Sequence, residues 1–396
     1  MVLFILVIIG ALIVVASALS SLLSLYFEIT YWRVRKVSRT VVRSGEDYPW
    51  VTVIMPVRGL DQNFRGNVTS VLDQDYPGRR DYIFVLDDDG DPAYGIIKEL
   101  ISNAGVDASI LINRGGHSKG DALAFALGHA AGDVVVFVDS DVLVHRHWLR
   151  NLVDSLRRGF GAATTYRFYL PFRRFGFGSL LRAGFNMIGI TAMQNSKARF
   201  AWGGSSAVWR WLLDKWSVRE YLPYYLSDDY VITHFVHREG LGIDFVPESL
   251  VLTLEDAGLR DAFSWSVRQL WYVRVYGFRG FLLYAASYSL YAIELPIAVF
   301  LSIYYYLPFA ILGLLPFVVG VVKDFVRINS IRSLGDFYRN NIPTGYAVLL
   351  ALVSIINVYF SWLVIISTLF TRSIVWRGRV FTIDDARRFM GVRRLG

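Results

Sequence analysis

Apolar residues fall into two regimes along the chain: long unbroken blocks near both ends, and short β-branched runs between them. The block from Val2 to Tyr26 exceeds the roughly 20 residues that cross a bilayer core. No A-x-A-like cleavage site follows it, so it reads as a retained anchor. Three further blocks, Gly280 to Tyr304, Tyr305 to Val322 and Ile342 to Phe370, bring the predicted spans to four. Pro296, Pro308 and Pro316 fall in the middle pair, which could instead be buried core helices or a re-entrant segment.

Between the blocks the pattern shortens. Trp50 to Val57 (WVTVIMPV), Asp81 to Leu86 (DYIFVL) and Asp133 to Val138 (DVVVFV) are continuous apolar runs bounded by turn residues, as buried strands are. Ala108 to Asn113 adds a fourth, and helical stretches at Asn63 to Leu72, Ala93 to Ala104 and Asp121 to Ala131 separate them. Such alternation predicts a mostly parallel sheet covered on both faces, with ligands at the carboxyl ends of its strands. Tyr166 to Met193 and Phe263 to Phe281 mix aromatics and Arg without the apolar length of a span. They read as interfacial helices; the alternative is core helices with exposed Arg. The expected fold is therefore an α/β nucleotide-binding domain with α-helical transmembrane and interfacial elements. Its divisions are an anchor at 1–30, a catalytic domain at 37–258, an interfacial region at 259–280, transmembrane helices at 281–371 and a basic tail at 372–396.

Composition supports the membrane reading, with 54% of residues hydrophobic. The net charge of +8 could suggest nucleic acid, but the Arg residues flank apolar segments instead of forming one run, which favours anionic lipid and diphosphate. Arg33, Arg35 and Lys36, followed by Arg39 and Arg43, place the next segment in the cytosol by the positive-inside trend. Four crossings would then leave the Arg-rich tail outside, against the same trend. Absence of cysteine excludes disulfides, thiol catalysis and Cys-ligated zinc.

Candidate chemistry sits where the strands end. Asp139-Ser140-Asp141 closes the run Asp133 to Val138, and two carboxylates one residue apart at a rigid strand end suit Mg2+ or Mn2+ bound with a diphosphate. The same tripeptide could cap the next helix. Asp87-Asp88-Asp89-Gly90 could hold the base or ribose of a nucleotide, or be a solvated turn. Asp228-Asp229, after Ser227, opens a helical stretch. The helix dipole there favours an anion, and an ionised carboxylate beside a donor sugar could take the proton of an acceptor hydroxyl. A single displacement of that kind inverts the anomeric centre.

The order of these features resembles family 2 glycosyltransferases with a GT-A fold. Pro56-Val57-Arg58-Gly59-Leu60-Asp61, Asp73-Gln74-Asp75-Tyr76-Pro77 and Asp91-Pro92-Ala93 resemble the ceramide glucosyltransferase branch in particular. The resemblance implies nucleotide contacts from Asp87 and Asp88, metal and diphosphate on Asp139 and Asp141, and Asp229 as catalytic base. Pro56, Arg58 and Lys119 complete the expected nucleotide set. The family's Q/R-x-x-R-W motif is present in part: with Arg268 in first position, Trp271 falls where Arg is expected and Tyr272 where Trp is, and Arg274 lies one helical turn on. Gly203 and Gly204 resemble the small-residue loop of the acceptor side, although they could be a simple turn. The acceptor and diphosphate side is thus assigned to Gly203, Gly204, Asp228, Arg268, Gln269, Trp271 and Arg274.

The expected activity is inverting, Mn2+- or Mg2+-dependent transfer of glucose or mannose from UDP-glucose or GDP-mannose to a membrane lipid, by a multi-pass protein with a cytosolic catalytic domain. A processive polysaccharide synthase, or a membrane scaffold whose acidic clusters bind cations without turnover, are the alternatives.

Overall fold

The computed structural model describes residues 2–37, 47–116, 118–376 and 379–383. Arg39, Arg43, Arg377 and the tail beyond 383 lie outside the described residues. The chain divides into two compact units. Of the described residues, those within 42–174, 186–256 and 373–396 belong to an α/β unit, and the others to a helical unit.

After α1 (Val2–Val37), strands and helices alternate: β1 (Val51–Pro56), α2 (Phe64–Leu72), β2 (Arg80–Leu86), α3 (Ala93–Ala104), β3 (Ala108–Ile112), α4 (Lys119–Leu127) and β4 (Val134–Val138). Next come α5 (Trp148–Leu156), β5 (Ala162–Thr164), β6 (Arg167–Leu170), α6 (Phe177–Gln194), β7 (Ser205–Trp209), α7 (Arg210–Lys215), α8 (Val218–Tyr221) and α9 (Asp228–Arg238). The α/β unit continues with β8 (Ile243–Phe245) and β9 (Val251–Leu254). Seven strands form one sheet in the order β3-β2-β1-β4-β7-β5-β8. Only β7 runs antiparallel to its neighbours.

This order explains the sequence pattern. β1 and β4 are central and covered on both faces, so their side chains are buried along the run and the pattern is continuous, not alternating. Because β1, β2 and β4 are parallel, Arg58, Asp87 and Asp139 all emerge at one sheet edge. The antiparallel β7 brings its amino end to that edge, with Val138 opposite Ser205.

Three expectations change. The stretch from Tyr166 to Met193 is not one helix: Arg167–Leu170 is a buried strand paired with β9, and the helix starts at Phe177. Pro171 stops regular structure there, since it donates no N–H. Helix α4 begins at Lys119, two residues early, because Ser118 caps it by accepting the Asp121 N–H at 3.1 Å, and it stops at Leu127. The stretch from Phe263 to Phe281 breaks at Gly277 into two helices.

The helical unit adds α10 (Leu259–Tyr276), α11 (Phe278–Tyr304), α12 (Pro308–Arg332), α13 (Asp336–Asn341) and α14 (Thr344–Phe370). A hairpin of β10 (Ser373–Trp376) and β11 (Arg379–Thr382) follows and groups with the α/β unit. Among the described residues four helices, α1, α11, α12 and α14, are long and apolar enough to cross a membrane. Pro296 and Pro316 lie inside α11 and α12 without ending them. Ile303, Leu307, Ile311 and Phe370 are each more than two-thirds exposed. Apolar side chains exposed on this scale are compatible with a lipid environment and argue against the core-helix alternative.

A buried ion pair joins two helices of this unit. Glu28 of α1 and Arg327 of α12 are both 2% exposed. Arg327 donates from Nε to Oε1 at 2.9 Å and from Nη2 to Oε2 at 2.5 Å, while the Trp32 indole donates to the same Oε1 at 2.8 Å. Asp324 lies 3.4 Å from Nη1 of Arg327. Burying two charges is tolerable only in such bidentate, hydrogen-bonded geometry.

Candidate active site

Each acidic motif sits where the sheet or a helix ends. Asp139 leaves β4 with its N–H donated to the Gly204 carbonyl at 3.2 Å, which ties the strand end to the glycine loop before β7. Ser140 turns away from that edge, its hydroxyl donating to Asp61 at 2.6 Å while its carbonyl accepts from Asn67 at 3.0 Å. Asp139 and Asp141 therefore stay on the ligand side, 23% and 27% exposed. Neither side chain caps a helix, so the capping alternative does not hold.

Asp228 and Asp229 form the first turn of α9, capped by Ser227, whose hydroxyl accepts the Tyr230 N–H. Lys119, the first residue of α4, reaches between the motifs. Its ammonium lies 2.8 Å from Asp139 Oδ1 and 3.1 Å from Asp228 Oδ2, and donates to the Gly203 carbonyl at 3.4 Å. Burial opposes this charge, but Asp139, Asp228 and Asp229 overcome that penalty and hold the Lys119 pKa above its usual value.

Asp229 accepts the Gly203 N–H on Oδ1 at 2.5 Å. Burial, then the neighbouring Asp228 charge, push its pKa up to about 7, against the opposing pull of Lys119 and of the Gly203 N–H. A carboxyl poised near neutral pH is suited to general-base work. A Cβ at Gly203 would overlap the Asp228 and Asp229 carboxylates, so a larger residue here would push the pair aside. At Gly204 a Cβ would overlap the Trp202 ring. The loop is thus a close backbone approach to the Asp pair, which a simple turn would not require.

Arg167 completes the cluster and was not singled out from the sequence. From β6 its Nη1 lies 2.7 Å from Asp141 Oδ2 and its Nη2 3.0 Å from Asp139 Oδ2. Its neighbourhood in sequence, RFYL between Tyr166 and Pro171, reads as a membrane-facing Arg among aromatics. Only the pairing of β6 with β9 turns it inward.

The first Asp motif is more open. Asp87 lies 3.5 Å from the Arg58 guanidinium, both about a third or more exposed, and Pro56 ends the adjacent strand. Asp88 accepts the Gly90 N–H at 2.8 Å, and Asp89 pairs with Arg114 at 3.1 Å. Asp91 binds the Gly59 N–H at 2.8 Å, so the loops after β1 and β2 are held together.

Arg268, Gln269, Trp271 and Arg274 all lie on α10, in the helical unit. Trp271 is fully buried. Arg274 donates from Nη1 to the carbonyls of Thr368 at 2.5 Å and Thr371 at 3.2 Å, where α14 ends. A cation at a helix carboxyl end satisfies orphan carbonyls and complements the dipole.

Asp139 and Asp141 fit a divalent cation: they offer two hard-oxygen donors at a fixed strand end, a set that Mg2+ or Mn2+ completes with substrate phosphate and water. Among the described residues no third His, Asp or Glu joins them in a metal-sized group. A parallel-rich sheet with one antiparallel strand and this carboxylate cluster at its edge define a GT-A fold. The chain belongs to glycosyl transferase family 21, whose model matches residues 12–389.

Among curated proteins, the chain is 32% identical over 139 residues to a ceramide glucosyltransferase of Gibberella zeae, covering 31% of this chain and 26% of that protein. It is 32% identical over 126 residues to the ceramide glucosyltransferase of Candida albicans, covering 28% and 23%. The matches thus span about a quarter of the length of these relatives. Among solved structures, a mannosyltransferase of Pyrobaculum calidifontis in complex with GDP-Man and Mn2+ aligns with a TM-score of 0.49 at 18% identity, covering 88% of this chain and 99% of that one.

Proposed function

We propose that the protein transfers a hexose from a nucleotide sugar to a membrane lipid, with inversion at the anomeric carbon. The observation that carries this reading is the convergence of Asp139, Asp141, Lys119, Asp228 and Asp229 at one sheet edge, in a chain of this family with four apolar helices. The names of the curated relatives support glucose as the sugar and a ceramide-like lipid as the acceptor.

In this reading Arg58, Asp87 and Asp88 receive the nucleoside, and Asp139 and Asp141 hold Mn2+ or Mg2+ beside the diphosphate. The metal, when bound, neutralises charge on the leaving diphosphate. Lys119 fixes Asp139 and Asp228 with respect to each other and leaves Asp229 as the carboxylate free to accept a proton. Asp229 takes the acceptor hydroxyl's proton at Oδ2, while the Gly203 N–H holds Oδ1. The basic residues after α1 support a cytosolic α/β unit in a multi-pass protein.

The pH dependence follows from Asp229. A base must be ionised to act, so kcat/KM is expected to fall about ten-fold per pH unit below 7 and to level off above it. The sign for stability is opposite. A carboxyl whose folded pKa is raised favours the protonated fold, so the ligand-free protein is expected to lose some stability as pH rises through about 7. Lys119→Gln, which removes a charge that lowers the Asp229 pKa, is expected to move the acid limb to higher pH. An acid limb that stays in place would exclude this coupling.

The donor is tested by thermal stabilisation of the detergent-purified protein with UDP-glucose, GDP-mannose, UDP and GDP, each with Mn2+ and with EDTA. A metal-dependent rise in Tm with one nucleotide class supports the reading and identifies the base. No rise with any of them contradicts it.

A further inference from the structure

We propose that Arg167 and a divalent cation compete for the Asp139–Asp141 pair: the guanidinium is the pair's resident counter-ion, and a metal takes the carboxylates only by displacing it. The inference rests on the reading of this pair as the metal site. One guanidinium spans both residues, with Nη1 2.7 Å from Asp141 Oδ2, and Nη2 3.0 Å from Asp139 Oδ2 and 3.4 Å from Asp141 Oδ1. The fourth oxygen, Asp139 Oδ1, faces Lys119 at 2.8 Å. Every oxygen that a metal would use is therefore already matched to a protein cation.

The placement is built, not incidental. Arg167 is 9% exposed, and its Nη1 also donates to the Tyr169 hydroxyl at 2.9 Å. Its guanidinium carbon stands 4.8 Å from the centre of the Trp202 ring. Its main-chain carbonyl accepts from Asn186 at 2.9 Å, so the backbone is fixed and only the side chain can leave. The reason for such a cation is electrostatic. Two carboxylates one residue apart, both more than two-thirds buried, repel each other and are poorly solvated, and a bidentate Arg offsets both costs. A metal ion does the same with greater charge. It cannot share the position, because guanidinium and metal are like-charged and need the same lone pairs. Displaced, the guanidinium becomes a free planar fork of N–H donors at the mouth of a diphosphate site, a geometry that matches phosphate oxygens.

Two consequences separate this role from a purely structural one. Removing Arg167 destabilises the metal-free protein, and it raises the affinity for metal, which a structural arginine would not do. The test uses the full-length protein in detergent with Mn2+ alone, no nucleotide, read by calorimetric titration and by free-Mn2+ paramagnetic resonance. Arg167→Gln is expected to bind Mn2+ about ten-fold or more tightly than wild type, roughly 1.4 kcal/mol or more, and to regain with Mn2+ the Tm that it loses in EDTA. Arg167→Lys, a point charge that cannot bridge both carboxylates, is expected to lie between the two. If the Gln variant does not fold, the Lys variant alone decides: tighter Mn2+ binding than wild type supports the competition, and equal or weaker binding overturns it. Mn2+ binding that is equal in wild type and both variants, yet lost in Asp141→Asn, overturns the competition and leaves the metal site intact. No Mn2+ binding by wild type or by either variant overturns both.

Discussion

Asp229→Asn is expected to abolish hexose transfer while leaving donor binding near the wild-type level. The amide keeps the size of the side chain and can still accept the Gly203 N–H through its oxygen, so the loop geometry is retained. What it loses is basicity. General-base catalysis contributes on the order of 100- to 10,000-fold, and a carboxylate held near pKa 7 stands at the efficient end of that range for work at neutral pH. Single-turnover transfer and donor affinity, measured on the same preparation, check both halves. Transfer within ten-fold of wild type would remove Asp229 from the base role. Lost donor binding would mean that it holds the nucleotide sugar instead.

The second large effect is on stability. Arg327→Met should destabilise the protein by about 3–5 kcal/mol, because breaking one partner of a buried ion pair leaves the other charge without compensation. Arg327 and Glu28 join α12 to α1 and share two oxygens and two nitrogens at 2.5–2.9 Å. The double variant Glu28→Leu with Arg327→Met is expected to recover part of that loss, since the apolar pair needs no desolvation while Asp324 and the Trp32 N–H lose these partners. Unfolding of all four proteins in one detergent gives the coupling between the sites. A double variant that is as unstable as the sum of the two singles would mean that the residues act independently.

Much of the α/β unit was legible because its signals are local. β1, β2 and β4 read as apolar runs, the latter two with an acidic end, and their parallel order sends Arg58, Asp87 and Asp139 to one edge. Helix α3 lies where its pattern predicts, from Ala93 to Ala104. The long apolar helices were equally readable, and Pro296 and Pro316 misled only as candidate breaks.

What escaped was long-range. β6 pairs with β9 across most of the second half of the unit, and no local pattern reveals that RFYL faces inward with Arg167 aimed at two aspartates. Aromatic residues with an arginine satisfy an interfacial helix and a buried strand equally well; burial alone decides between them. Lys119 was expected in the nucleotide set, but its link to Asp228 depends on where α9 begins in space. Arg274 looked like a replacement for a missing motif arginine, while its observed partners are the last carbonyls of α14. The same charge can serve a phosphate or a helix end, and the choice lies in tertiary packing.

One measurement bears most directly on the central claim. The purified protein is incubated with an α-linked nucleotide hexose, Mn2+ and membrane lipid, and the lipid product is examined by mass spectrometry and by the anomeric coupling in its proton NMR spectrum. The account predicts a hexosyl lipid with a β linkage, absent from the Asp229→Asn reaction. A hexosyl lipid with a retained α linkage, or none with any nucleotide hexose, would contradict it.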